Sequence, residues 1–271
     1  MNEHQCAAFV TGGGRGLGRA IAERLAADGL TVGVLARTAT EVGATAEAIV
    51  AAGGTARAFV TDVLDAPAIE KAICRFCDWA GRLDAVVCAA GRLQAIGPFE
   101  LVDSGAWWLD FETSVRGTQQ TIKACLPYLR ASSQPSISVL VGLGHNSELA
   151  FASGYGSAQA ALVRFVESLG AELKDEGLPV YAVYPGLVPT NLIHRLIDRP
   201  DGRRWLPQFN EAFSEGKEVG PDVVAEMVAW LASCRPPELN GRVVAAPLSS
   251  TILQTRLERV AGENLNVLRL R

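Results

Sequence analysis

Residues 11–18 read Thr-Gly-Gly-Gly-Arg-Gly-Leu-Gly and stand between an apolar run, Ala7-Ala8-Phe9-Val10, and a helical pattern that starts at Arg19. A strand, a glycine turn and a helix in this order leave few folds open. Gly12 permits the tight turn, Gly16 lets the backbone approach a pyrophosphate, and Gly18 allows the helix to pack closely on the strand. The N–H groups of the helix N-terminus are then free to hold phosphate charge. Gly14, Arg15 and Leu17 complete the same turn and belong to the same candidate cradle.

Downstream, apolar runs near 6–11, 31–36, 55–60, 83–89, 137–142, 179–184 and 242–246 alternate with helix-length segments. This alternation predicts an α/β fold of the Rossmann type, a doubly wound parallel sheet of about seven strands with helices on both faces. Helices ending at Asp28-Gly29 and at Gly53-Gly54 have the glycine stops such units use. Without a long linker or an internal repeat, residues 1–248 read as one dinucleotide-binding domain with a substrate-loop insertion at 190–219, followed by a C-terminal extension, 249–271.

The apolar fraction of 49% supports a large core, and a net charge of −4 with no basic stripe argues against a nucleic-acid partner. No apolar run approaches the roughly 20 residues that span a bilayer, and Met1-Asn-Glu-His-Gln lacks a secretory pattern, so a cytoplasmic location and no membrane partner are expected. Cys6, Cys74, Cys77, Cys88, Cys125 and Cys234 then read as reduced thiols. Cys74-Arg-Phe-Cys77 lies inside an expected helix with neither a second pair nor a nearby histidine, so no metal site is expected.

Cofactor choice is written after the second strand. A fold that takes NAD(H) places an acid there for the ribose diol. No acid occurs from Val32 through Ala39, whereas Arg37, next to Thr38, and Arg15 in the glycine turn are both suited to pair with a 2′-phosphate. NADP(H) is the expected cofactor.

At this point the chain resembles the short-chain dehydrogenase/reductase family over residues 6–247. The resemblance rests on the glycine turn, Asp62-Val63 after the third strand, Ala90-Gly91 after the fourth, Tyr155 opening a long helix, and Pro185-Gly186-Leu-Val188-Pro-Thr190 after the sixth. It implies that Asp62 and Val63 border the adenine, Ala90 and Gly91 the ribose, and Val188 and Thr190 the nicotinamide amide. The catalytic positions depart from the family pattern. Tyr155 is kept, but Gln159 stands where a lysine is usual, Gly142 where a serine is usual, and Ser114 where an asparagine is usual. Cys88-Ala-Ala-Gly91 also lacks the asparagine of the fourth-strand motif.

Loop slippage would offer Ser147 as a substitute hydroxyl, whereas Arg164, nine residues beyond Tyr155, falls on the opposite helix face and replaces no lysine. Tyrosine ionises near pH 10, so without an adjacent ammonium the phenolate needed to oxidise an alcohol is scarce, while the phenol can still protonate an oxyanion. Gln159 retains a hydrogen bond to a ribose hydroxyl but no charge. His145, just past the fifth strand, is a candidate acid–base group; its alternative is a loop imidazole contacting solvent or backbone. His4 and His194 read as structural or solvent-facing.

Residues 190–219, with Leu192, Ile193, Leu196, Trp205, Phe209 and Phe213, suit either a bulky apolar small-molecule substrate or lid packing, and Arg199–Arg204 reads as a mobile hinge turn. The stripe Ile252, Leu253, Leu257 and Val260 needs cover, either from its own subunit or across a boundary. The resemblance implies a homodimer or homotetramer joined through segments 105–130 and 154–173, the latter carrying Ala158, Ala161, Leu162, Phe165 and Leu169. Three activities stay open: an NADPH-dependent reductase of a carbonyl or conjugated double bond with Tyr155 as proton donor, a non-redox dehydratase, isomerase or cyclase, and a silent NADP(H)-binding regulator.

Overall fold

A computed structural model describes residues 5–216 and 218–268; His4 lies outside the described residues. The first half alternates strictly: β1 (Ala7–Thr11), α1 (Gly16–Ala27), β2 (Thr31–Ala36), α2 (Ala39–Ala51), β3 (Thr55–Val60), α3 (Ala66–Ala80) and β4 (Ala85–Cys88). The second half carries longer helices: α4 (Ser104–Leu129), β5 (Ser136–Leu140), α5 (Ser153–Glu172) and β6 (Val180–Tyr184). Three short helices follow, α6 (Asn191–Asp198), α7 (Pro200–Trp205) and α8 (Pro207–Ser214), then α9 (Pro221–Cys234), β7 (Arg242–Ala245), α10 (Ser250–Gln254) and α11 (Leu257–Gly262).

All seven strands pair in parallel in the order β3-β2-β1-β4-β5-β6-β7. The order reverses between β1 and β4, and a parallel sheet of this kind binds ligands at the carboxyl ends of the strands beside that switch point. Local chemistry fixes the helix ends around it. Asp65 and Asp103 accept the N–H groups of Ala68 and Ala106 to cap α3 and α4, and Gly81 stops α3 in the left-handed conformation.

The sheet is covered on both faces. Phe9, Phe59 and Phe76 interlock on one face, with Phe9 and Phe76 in edge contact at 5.2 Å. Ile21, Leu25, Val228 and Leu231 fill the other, where α1 packs on α9. Cys77, Cys88 and Cys125 are buried, and burial pushes the first two thiols up to about 12 and the third well above its ordinary value, which leaves them as protonated hydrophobes.

The extension is two short helices. Leu253 and Val260 are buried on the chain's own core while Ile252 stays exposed. Beyond them Asn266 O accepts the Val243 N–H on the outer edge of β7. Leu268 is tied to α5 through the Glu167 carboxylate and the Arg164 guanidinium. Ala158, Leu162 and Leu169, named above as candidates for a subunit contact, are buried within the subunit. No helix among the described residues is long and apolar enough to cross a membrane.

Candidate active site and cofactor cleft

A cleft of about 230 Å³ opens at the switch point, and a neighbouring one of about 510 Å³ shares Arg15, Arg37, Gly91 and Leu192 as wall. The glycine turn forms its floor. Gly12 has φ +66, and a Cβ there would lie 2.7 Å from Ala89 O and 2.8 Å from Ala90 N; a Cβ on Gly18 would lie 2.3 Å from Gly12 O. Any side chain at either position would drive the turn away from β4 or from α1. Arg15 is the N-cap of α1 and makes no side-chain cap to the first turn, and Gly16, Leu17 and Gly18 of that turn line the cleft. A glycine turn at a helix N-terminus has the chemistry to cradle a pyrophosphate, and the residues present fit a dinucleotide.

Gly14, Thr38, Val63, Ala90, Gly91, Pro185 and Thr190 line the cleft as well. Gly186 and Val188 do not. Val188 is 3% exposed and joins the core, and Gly186, at φ +76, turns the chain against Val219 and Pro247. They shape the loop that presents Thr190.

At the end of the cleft formed by Arg15 and Arg37 both arginines are paired. Arg15 Nη1 lies 3.1 Å from Glu41 Oε1 and Arg37 Nη1 lies 3.5 Å from Asp62 Oδ2. Glu41 lies two residues beyond the acid-free stretch that ends at Ala39. It sits in the first turn of α2 and lines the cleft.

At the reacting end, Tyr155 in the first turn of α5 and Gly142 just past β5 meet. A Cβ built on Gly142 would lie 2.0 Å from Tyr155 Oη, so the phenol hydroxyl fills the volume that a serine side chain would take. Gln159, one turn after Tyr155 and 3% exposed, accepts the Gly142 N–H through Oε1 at 2.7 Å. Its carbonyl is therefore tied to the strand end and only its amide N–H₂ is left for a ribose hydroxyl. Ser114 lines the cleft and donates its hydroxyl to Asp110 O, 3.2 Å away on its own helix.

Burial, with Tyr184 and Asp110 adding to it, holds the Tyr155 phenol well above its ordinary range, so it is protonated at neutral pH. His145 is turned away from the cleft. Its Nδ1 is 2.9 Å from Gly142 O, which can only accept, so Nδ1 carries the proton. The ring rests on Tyr184 with centroids 4.6 Å apart, and desolvation lowers its pKa. It props the Gly142 loop from behind, the backbone-contacting role. Ser147 is exposed and lines neither cleft.

The short chain dehydrogenase family model matches residues 6–200, most of the chain. The chain belongs to the short-chain dehydrogenase family. It is 31% identical over 247 residues to the short-chain reductase protein NovJ of Streptomyces niveus, covering 88% of this chain and 90% of that one. It is 28% identical over 273 residues to the short chain dehydrogenase citE of Monascus ruber, covering 98% and 89%. Among solved structures, a dehydrogenase/reductase from Sinorhizobium meliloti superposes with a TM-score of 0.79 at 29% identity over 89% of this chain and 92% of that one. An actinorhodin polyketide ketoreductase solved with NADPH gives 0.79 at 26% identity over 92% and 97%. As a family member the protein is an oxidoreductase that uses a nicotinamide cofactor on a small molecule.

This short-chain dehydrogenase also holds a buried carboxylate beside the site that belongs to none of its motifs. Asp110 on α4 is fully buried and accepts from Arg92 Nε at 2.8 Å, Gln94 N at 2.7 Å and Ala95 N at 2.8 Å. A carboxylate with one guanidinium and two amide donors is fully satisfied, and it pins the segment after β4. That segment delivers Leu93 and Ile96 to an apolar cluster with Leu196, Leu206 and Phe209 of the insertion, against which Tyr155, Leu149, Leu187 and Leu192 pack. The expected hinge turn is instead helical: Pro200 and Pro207 start α7 and α8, where a missing N–H costs nothing. Arg199, between α6 and α7, reaches Gln94 O at 3.2 Å and holds the insertion to the pinned segment.

Proposed function

We propose that the protein is an NADP(H)-dependent reductase that delivers hydride to a carbonyl or conjugated double bond of a bulky, largely apolar small molecule, with Tyr155 as the proton donor. The observation that carries this reading is the Tyr155 hydroxyl, which lines the cofactor cleft against the bare backbone of Gly142 and borders the apolar cluster of the insertion. When bound, the cofactor supplies the hydride.

The chain's residues do the rest. The glycine turn and the N-terminus of α1 hold the pyrophosphate, Arg15 and Arg37 take the 2′-phosphate, Gln159 offers an amide N–H to the ribose, and Thr190 stands by the carboxamide. Leu93, Leu192, Leu196 and Phe209 exclude water from the apolar substrate. Tyr155 gives its proton to the oxygen that gains charge as the carbonyl is reduced. With a half-buried, desolvated phenol, a glutamine in place of the lysine and Asp110 nearby, the phenolate is disfavoured and Tyr155 enters the reaction as the protonated acid. The reductases among the relatives support a carbonyl substrate.

Titration of the purified protein with NADPH and NADH by tryptophan fluorescence tests the cofactor assignment. NADPH binds more tightly, and Arg37→Asp erodes the difference. Equal affinities in the unmodified protein would overturn it.

A further inference from the structure

The adenosine end of the cleft holds Arg15 and Arg37 together with Glu41 and Asp62, so its formal charge is balanced before any ligand enters. Glu41 is built into that position. A Cβ on Gly14 would lie 3.0 Å from Glu41 Cβ, so the glycine lets α2 approach the turn. Thr45 Oγ1 then ties the two segments, bonding Glu41 O at 3.1 Å and Gly14 O at 3.3 Å. The backbone and Cβ of Glu41 are thus fixed beside the turn, and from there its half-exposed carboxylate reaches Arg15.

We propose that Glu41 is a specificity-determining residue of the cofactor cleft: its carboxylate holds the Arg15 guanidinium and competes for it with a 2′-phosphate, which moderates the preference for the phosphorylated cofactor. The proposal rests on the NADP(H) reading of Arg15 and Arg37. A 2′-phosphate brought to Arg15 meets Glu41 as a like charge and must share or displace it, whereas a 2′-hydroxyl meets no such repulsion. Asp62 faces Arg37 in the same sense but at the longer 3.5 Å, and the family resemblance also places it beside the adenine. Glu41 is the carboxylate whose charge can be removed without disturbing the base.

The test is calorimetric titration of the full chain and its Glu41→Gln variant with NADPH, NADH, adenosine 2′,5′-bisphosphate and AMP. Glutamine keeps the Cβ packed on Gly14, and a thermal melt within a degree or so of wild type, a shift of a few tenths of a kcal/mol, confirms that the turn is intact. Glu41→Gln tightens NADPH and the bisphosphate by roughly three- to tenfold and leaves NADH and AMP within about twofold. The gain disappears in an Arg15→Gln background. Weaker binding of the bisphosphate would overturn the proposal by making Glu41 a support for Arg15. A loss confined to NADH and AMP would overturn it by making Glu41 the acceptor of the ribose diol, and no change in any titration would overturn it as well. A wild-type preference for NADH would refute the NADP(H) reading alone, since a gain for the bisphosphate in Glu41→Gln would still uphold the role of Glu41.

Discussion

Gly142→Ala is the sharpest perturbation of the reacting end, because the new methyl lands where the Tyr155 hydroxyl lies. The Cβ would sit 2.0 Å from Oη and 3.0 Å from Cζ. Ordinary contact requires the ring tip to retreat by about 1.4 Å. A displacement of that size at a reacting group is worth on the order of a hundredfold in kcat/KM. The stability cost is smaller, about 1 kcal/mol at the low end for overpacking, because the atom displaced is the free end of a side chain bordering a cleft. Gly142 is not among the residues with positive φ, so alanine also removes unfolded-state freedom and returns about 0.4–1 kcal/mol. In wild type the two effects nearly cancel, while in Tyr155→Phe the hydroxyl is gone and only the tight approach to the ring carbons remains, so the same substitution costs less there. The assay is a double-mutant cycle by urea denaturation, with NADPH oxidation followed for Gly142→Ala alone. A coupling near zero between positions 142 and 155, or an unaltered kcat/KM in a folded Gly142→Ala protein, would show that the hydroxyl does not occupy this volume.

Two further outcomes follow from the surrounding contacts. Asp110→Asn turns a carboxylate that satisfies three donors into an amide that presents N–H₂ to one of them, so it destabilises the protein by about 3–5 kcal/mol, read as a lower urea midpoint. His145 has a lowered pKa in the fold, so the unfolded chain binds its proton first; this contribution to stability is complete above the ordinary histidine pKa of about 6.5 and is lost as pH falls through the folded value. Denaturation midpoints measured from pH 7.5 down to 5.5 should show that acid loss, and His145→Asn should remove it.

The strands were legible because each is an apolar run closed by a turn signal, and a parallel sheet buries both faces of its strands. The phosphate cradle was legible because its chemistry is backbone geometry that only glycine permits. What was not legible depends on packing between distant segments. Glu41 reaches the cleft because Gly14 lets α2 close on the turn, a contact across 27 residues that no local motif records. Asp110 and Arg92 are 18 residues apart and meet only because α4 crosses the segment after β4. His145 sits where the sequence puts it, at the end of β5, but the side its ring takes is decided by the Gly142 carbonyl and the Tyr184 ring. The position of Gln159, four residues after Tyr155, is plain in the sequence, yet its bond to the Gly142 N–H takes the strand and the helix together.

A proton from Tyr155 in an NADPH-dependent reduction is checked by NADPH oxidation against a panel of bulky ketones and enones, run on wild type and Tyr155→Phe from parallel preparations whose NADPH affinities are measured first. Wild type turns over at least one apolar carbonyl or conjugated substrate, and Tyr155→Phe loses that turnover with cofactor affinity within a few-fold of the original, since the phenyl ring keeps its packing. Undiminished turnover in Tyr155→Phe would remove the tyrosine from the chemistry.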